Sequence, residues 1–170
     1  MGLENYQEML SDPKTWDALK VTFQYAAVSL PIFLLLPFAL ALLLNSKSLR
    51  GARYFQALFF MPFVIPFVAA LFAWAGMLNP QTGWINGLLE AVGIGGLNWL
   101  DDPNWIYPSL VMIGLWGIGS AIIINLAGLQ NVPTELYDAA RVDGAGWWGQ
   151  LRNVTLPLMS PVIFYSLTLA

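Results

Sequence analysis

Long hydrophobic runs without charge alternate with short charged clusters along this chain of 170 residues. The charge-free intervals are 21–46, 54–89, 103–134 and 153–170. A helix needs roughly 20 apolar residues to cross about 30 Å of hydrocarbon, and these intervals offer that length. The pattern predicts membrane spans near 20–44, 56–78, 106–128 and 156–170, of which the fourth is incomplete.

The composition indicates that lipid is the main solvent of the chain. Hydrophobic residues make up 58% and charged residues only 10%, and the mean hydropathy is +0.63. Soluble domains carry about 25% charged residues, and a small fold leaves much of its surface exposed. In lipid every backbone polar group needs an internal partner, and the strand-like alternation of a barrel is absent from these runs. We therefore predict an all-α integral membrane protein.

Several kinds of chemistry are disfavoured by the residues that are present. The chain has no Cys and no His, so disulfides, zinc clusters and imidazole catalysis are excluded, and we expect no metal site. The seven basic residues are scattered and the net charge is −3, which gives no sign of nucleic-acid binding. A membrane-embedded enzyme is a second hypothesis, but the charge-free intervals hold no acid–base group. We expect no catalysis and no cofactor in this chain.

The charged clusters predict which side of the membrane each loop occupies. The 45–55 loop holds bases and no acid, which is typical of a cytoplasmic loop; its bases are Lys47, Arg50 and Arg53. The 79–105 connection holds acids and no base, and the tail at 1–18 is mainly acidic. We therefore expect 1–18 and 79–105 outside the cell, and 45–55 and 129–155 in the cytoplasm.

Both ends of the chain look incomplete. The first ten residues, MGLENYQEML, lack the apolar core of a signal peptide, although the tail is expected outside. An earlier helix would be needed to place it there, and the last span stops short. We expect residues 1–170 to be a single, partial transmembrane domain, truncated at both ends.

The predicted spans contain residues that favour helix contact or a solute path. Small residues suited to close helix packing are Gly114, Gly117, Gly119 and Ala121. Trp116 could stack on a ligand, and Ser120 and Asn125 are polar groups at membrane depth; these three are candidates for a solute path. For Asn125 the alternative is a hydrogen bond between packed helices.

Four prolines also fall within the predicted spans. They are Pro31, Pro37, Pro62 and Pro66. Each removes a backbone hydrogen bond and tends to kink its helix. The kinks could act as hinges or could give static curvature, and the pattern allows both.

A polar segment, ELYDAARVDGAGWWGQLRNVTLP at 135–157, interrupts the hydrophobic sequence. Pro133 suits a first helical turn, Glu135 lies near the positive end of the helix dipole, and Gly144 can adopt a left-handed cap. One side of this helix is predicted to carry Leu136, Ala139, Ala140 and Asp143. Its small alanines would let the helix settle in a groove of a partner, and Leu156–Pro157 would turn the chain back to the membrane. A mere connector is the alternative.

The same segment resembles a known loop. From Asp138 it has D-A-A, three residues, Gly144, nine residues and V-T-L-P. This is similar to the cytoplasmic E-A-A…G…I-x-L-P loop of permease subunits in bacterial ATP-binding-cassette importers. Asp138 stands where that loop usually has Glu, and Val154 where it has Ile. Both departures keep charge or shape.

Further passages carry the likeness over nearly the whole chain. They are GLENYQEMLSDPKTWDAL, LALLLNSKSLRGARYFQALFFMP, NWLDDP and LAGLQNVPTELYDAARVDGA. They resemble carbohydrate permeases of the maltose and glycerol-phosphate uptake type, in particular the first of two permease subunits. The resemblance implies a type I importer helical bundle, here with three full spans and the start of a fourth.

The resemblance also implies a mechanism and partners. A coupling helix in the 129–155 loop would dock on a cytoplasmic ATPase dimer, beside a second permease subunit and an extracytoplasmic solute-binding protein. The residues assigned to this coupling are Glu135, Asp138, Ala139, Ala140, Asp143, Gly144, Leu156 and Pro157. ATP would be bound by the ATPase, because the chain has no G-x-x-x-x-G-K-[ST] loop. The expected function is import of a sugar or sugar-like solute; a passive channel or assembly scaffold is the alternative.

Overall fold

The computed structural model describes residues 2–46 and 49–169, and the regular elements in these ranges are helical. The α-helices are α1 (Glu4–Ser11), α2 (Pro13–Leu44), α3 (Ala52–Phe60), α4 (Phe67–Met77), α5 (Trp84–Ala91), α6 (Ile106–Leu115), α7 (Gly119–Gln130), α8 (Thr134–Val142), α9 (Trp147–Gln150) and α10 (Leu156–Leu169). A 3₁₀ turn at Met61–Val64 follows α3, and a π-helical segment at Leu151–Thr155 joins α9 to α10. Lys47, one of the bases in the predicted cytoplasmic loop, lies outside the described residues.

Helix α2 is the longest element and coincides with the first predicted span. The carboxylate of Asp12 accepts a hydrogen bond of 2.9 Å from the backbone N–H of Lys14, and Pro13 occupies the first turn. Its 32 residues correspond to about 48 Å of helix. Among the described helices α2 alone has the length and composition to cross a bilayer.

The second and third predicted spans are each divided between two helices. The α3 and 3₁₀ segment meets α4 at 94°, and α6 meets α7 at 57°. Taken as pairs, both reach the length and hydropathy of a span. The first break has a clear cause: Ile65 is extended (φ −73°, ψ 130°) because the residue before Pro66 avoids the helical region. Pro31 and Pro37 lie inside α2, whereas Pro62 and Pro66 mark this break.

The core joins α2, α7 and α10. Its buried side chains are Ala41, Leu44, Ile122, Leu126, Leu129 and Met159. Glycines bring the helices together at three places: a Cβ at Gly119 would clash with the backbone carbonyl of Phe59, one at Gly114 with the ring of Phe33, and one at Gly128 with Met159 and Val162. The predicted packing role is thus confirmed for Gly114 and Gly119. For Gly117 the nearest atom to an added Cβ is the carbonyl oxygen of Gly114, in the preceding turn.

The 79–105 connection is organised around the buried amide of Asn86, which is 3% exposed. Its Nδ2 donates to the carbonyls of Pro80 and Leu97 at 3.1 and 2.9 Å. Its Oδ1 accepts from the indole N–H of Trp99 at 2.8 Å. The hydroxyl of Ser109, in α6, donates to the carbonyl of Trp99 at 2.7 Å. These bonds fix the connection onto the first turn of α6.

Candidate functional site

Helix α8 ends in a Schellman cap at Gly144. This glycine has φ +80°, a left-handed conformation that glycine adopts without a steric penalty. The N–H of Ala145 donates to the carbonyl of Ala140 at 2.8 Å, and the N–H of Gly144 to that of Arg141 at 3.1 Å. The predicted helix and its left-handed cap are confirmed. Pro133 stands one position earlier than predicted, just before the first helical residue.

The outer side of α8 carries Asp138, whose carboxylate pairs with the guanidinium of Arg141 in the next turn. The two side chains are 65% and 62% exposed. An exposed pair at this spacing contributes roughly 0.3–0.5 kcal/mol. Since this pair is weak, a donor on another molecule can replace Arg141 at little cost. Glu135 lies exposed in the first turn, as predicted.

The other side of α8 faces an open groove with a volume of about 720 Å³. The groove runs between α8 and the helical segment that starts at α9; it is lined by Leu136, Ala139, Ala140, Asp143, Gly144, Ala145, Gly149, Asn153, Val154, Pro157 and Leu158. The four residues predicted to share one side of α8 all belong to this lining. Alanine and glycine leave the groove empty because they have little or no side chain. The small-residue side therefore forms a cleft within the chain itself.

The predicted turn at Leu156–Pro157 is wrong. Helix α9, the π segment and α10 follow one another without a break, and Leu156 is helical (φ −60°, ψ −44°). Proline in a helix lacks an N–H and its ring collides with the carbonyl four residues back. The wider π turn immediately before Pro157 relieves this conflict, because its hydrogen bonds skip one further residue.

Two hydroxyl groups that sequence reasoning missed fasten α8 to this continuous helix. The hydroxyls of Tyr137 and Thr155 are hydrogen-bonded at 3.0 Å. Thr155 is only 3% exposed, and the amide of Gln150 donates to the carbonyl of Ala145 at 3.0 Å. The sequence carries only a weak signal for this contact, a single Thr within the V-T-L-P stretch. The consequence is that α8 is held at a fixed position on the base of α10.

Trp116 lies at the break between α6 and α7 and lines a second, mainly apolar groove of about 480 Å³. Its ring meets that of Trp74 edge to face, with centroids 5.7 Å apart. The indole N–H of Trp74 is buried and has no hydrogen-bond partner among the described residues. The groove also includes the broken segment around Pro66. An aromatic wall of this kind can bind the apolar face of a ligand.

The other two candidates for a solute path are separated by the structure. Ser120 lines a smaller cavity that shares Gly114 and Gly117 with the Trp116 groove. Asn125 is 2% exposed, and its amide donates to the carbonyl of Ala121 in its own helix at 2.8 Å. Trp116 and Ser120 are thus brought to adjoining cavities, and Asn125 is placed in the helix packing. Within the described ranges no three carboxylates lie close enough together to hold a metal ion.

Comparison with known proteins decides the family. Residues 10–170 match the family described as binding-protein-dependent transport system inner membrane component. The chain belongs to this family. Members of it are membrane permeases, and this permease accordingly has at least one apolar helix able to span a bilayer.

Several relatives of the permease are named as permeases of sugar transport systems. It is 32% identical over 170 residues to the trehalose/maltose transport system permease protein MalF of Thermococcus litoralis, covering 99% of this chain and 57% of MalF. The chain therefore spans little more than half the length of this relative. The resemblance to sugar permeases noted in the sequence is confirmed.

Solved structures give the same fold. A bacterial ABC transporter involved in the import of the acidic polysaccharide alginate matches with a TM-score of 0.86 and 27% identity, over 99% of this chain and 60% of that one. The alginate transporter in complex with an alginate pentasaccharide-bound periplasmic protein matches with a TM-score of 0.84 and 26% identity, over 96% and 57%. The predicted all-α, type I importer bundle is confirmed.

Proposed function

We propose that this permease forms part of the membrane channel of an ATP-driven importer for a sugar or sugar-like solute. The observation that carries the proposal is the capped α8 beside its alanine- and glycine-lined groove. These residues coincide with the D-A-A…G motif, and hydrogen bonds fasten α8 to the base of α10. A fixed helix with an empty cleft at its side is suited to receive a protruding element of another protein and to pass on its movement. A scaffold would not need such a site.

The proposal includes partners that this chain does not supply. Two cytoplasmic ATPase subunits bind and hydrolyse ATP and contact the 129–155 loop, and a second permease completes the solute path. An extracytoplasmic solute-binding protein delivers the solute to the 79–105 side. The family description and the alginate transporter complex support this assembly. The permease itself is not catalytic and crosses the inner membrane several times.

On the coupling surface, each residue has a role that follows from its position. Asp138 exchanges its weak bond with Arg141 for a donor on the ATPase, and Glu135 adds negative charge to the first turn. Gly144 holds the cap. The remaining residues, Ala139, Ala140, Asp143, Leu156 and Pro157, shape the groove or the helix that forms its other wall.

The solute path passes the bend between α6 and α7. Trp116 stacks on the apolar face of a sugar ring, and Ser120 lies in the cavity next to it. Asn125 serves helix packing, since its amide is buried and already bonded to Ala121.

The test fills the groove without disturbing the backbone. In the full-length importer, Ala140→Leu places a larger side chain in the cleft, and Asn131→Leu puts the same leucine side chain at an exposed site just before α8. We expect Ala140→Leu to abolish copurification of the ATPase and ATP-driven uptake, with normal insertion in the membrane. The Asn131 variant should resemble the wild type. Undiminished ATPase binding and uptake in the Ala140 variant would favour the channel or scaffold instead.

A further inference from the structure

The hydroxyl of Ser166 has no hydrogen-bond partner among the described residues, although the residue is only 8% exposed. Two other hydroxyls of α10 bond to a carbonyl of their own helix. Ser160 donates to Pro157 at 2.8 Å, and Thr168 to Tyr165 at 2.7 Å. Such local bonds are the usual solution for Ser and Thr in membrane helices. A buried hydroxyl without a partner is unfavourable, so Ser166 is suited to a partner that is not part of these helices.

Ser166 borders the cavity that also contains Ser120. This cavity has a volume of about 230 Å³ and lies between α2, α7 and α10. Ser120 lies ten residues before Gln130, the last residue of α7, and Ser166 lies ten residues after Leu156, the first residue of α10. Both intervals correspond to about 15 Å along the helix. That distance is half the thickness of the hydrocarbon core.

The cavity adjoins the Trp116 groove. Gly114 and Gly117 line both spaces, and the ring of Phe33, which also lines the cavity, packs against Gly114. The combined lining therefore has aromatic rings at one end and two serine hydroxyls at the other. Among the residues that the structure describes, no charged side chain lines either space.

From this arrangement we infer that Ser166 contacts the solute at the middle of the path, together with Ser120, and that the solute is a neutral carbohydrate. The hydroxyls of a sugar can both donate to and accept from serine, and its apolar ring faces suit Trp116. An anionic sugar would lose hydration on entering these cavities, and no basic side chain in the described ranges lines them to compensate for that cost. This inference rests on the proposed function and adds a residue and a substrate class to it.

Cysteine accessibility tests the position of Ser166. The chain has no Cys, so single substitutions in the full-length importer, made on a cysteine-free background for its partners, give a clean signal. Ser166→Cys, Ser120→Cys and the exposed control Thr168→Cys are treated with a charged, water-soluble methanethiosulfonate reagent. The reaction is followed without ATP and in the vanadate-trapped state. We expect Ser166→Cys and Ser120→Cys to react with the reagent, at rates that differ about tenfold or more between the two states. Thr168→Cys should stay unreactive in both states.

The outcomes separate this inference from the proposed function. If Ser120→Cys reacts and Ser166→Cys does not, the inference is wrong and the importer proposal stands. If neither reacts in an importer that takes up solute, the path through these cavities is wrong. Absence of ATP-driven uptake in the wild type would instead overturn the proposed function.

Uptake kinetics test the contact and the substrate class. Ser166→Ala should raise the KM for uptake about fivefold, because one hydrogen bond to the solute is lost. Ser166→Thr keeps a hydroxyl and should return KM most of the way to the wild-type value. Trehalose, maltose and lactose serve as neutral probes, and an alginate oligosaccharide as the anionic one. An unchanged KM in Ser166→Ala would show that Ser166 does not contact the solute. Preferential uptake of the alginate oligosaccharide would show that the solute is not a neutral carbohydrate.

Discussion

The cap of α8 allows the coupling proposal to be tested quantitatively at Gly144. A Cβ added there would meet no atom of the described residues within 4 Å, so a substitution changes only the backbone energy of a residue at φ +80°. That conformation costs an L-residue such as alanine about 1–2 kcal/mol, and asparagine less, because its side chain tolerates the left-handed region. If the ATPase binds α8 only in its capped form, this cost reduces affinity roughly 5- to 30-fold for Gly144→Ala.

Gly93 provides a matched control on the predicted outer side. It has φ +83° and, like Gly144, no atom within 4 Å of an added Cβ. Gly93→Ala should therefore cost the same backbone energy but leave ATPase binding unchanged. Gly146 has φ −69°, so Gly146→Ala should affect neither stability nor binding.

The assay is titration of purified ATPase onto the full-length permease in lipid nanodiscs. The expected order of affinity is wild type, then Gly144→Asn, then Gly144→Ala, with Gly144→Val weakest because a β-branched residue is least tolerated at positive φ. Equal affinity across the series, or an equal loss in Gly93→Ala, would refute the reasoning.

Three further predictions follow from other parts of the fold. Gly119→Ala should strongly lower the yield of folded protein in a detergent size-exclusion assay, because its Cβ would meet the Phe59 carbonyl, whereas Gly117→Ala should not. Tyr137→Phe and Thr155→Val should each cost about 0.5–1.5 kcal/mol in thermal unfolding, and the double variant should cost less than the two together; full additivity would show that the hydroxyl pair contributes nothing. Trp116→Ala should raise KM for uptake at least severalfold while ATPase binding is retained, and an unchanged KM would remove Trp116 from the path.

The sequence allowed the helices to be located and kinks to be expected at the prolines, but it did not show that two of the predicted spans are divided. Hydropathy is summed over a window, so the interval around 56–78 looks like one span although the chain bends by 94° within it. The pair Pro62 and Pro66 carried the missing information, because the residue before a proline avoids the helical region. The bend between α6 and α7 has no proline, and it falls in a glycine-rich stretch that the sequence suggested only for helix packing.

The coupling segment shows the same division between local and tertiary information. The left-handed Gly144 was predicted because a helix cap depends on a few adjacent residues. The groove was not, since its second wall comes from Gly149 and Asn153, which only packing brings opposite α8. The π segment before Pro157 also escaped prediction, and the chain was expected to turn where it continues as a helix.

The unbroken helix from Trp147 to Leu169 has a mechanical consequence. The length of this segment is about 34 Å, and the Tyr137–Thr155 bond fixes α8 about a third of the way along it. We expect a push on α8 to swing this rod as a lever. The weakest points of the rod are the π turn and Pro161, where backbone bonds are displaced or missing, so flexing should concentrate there.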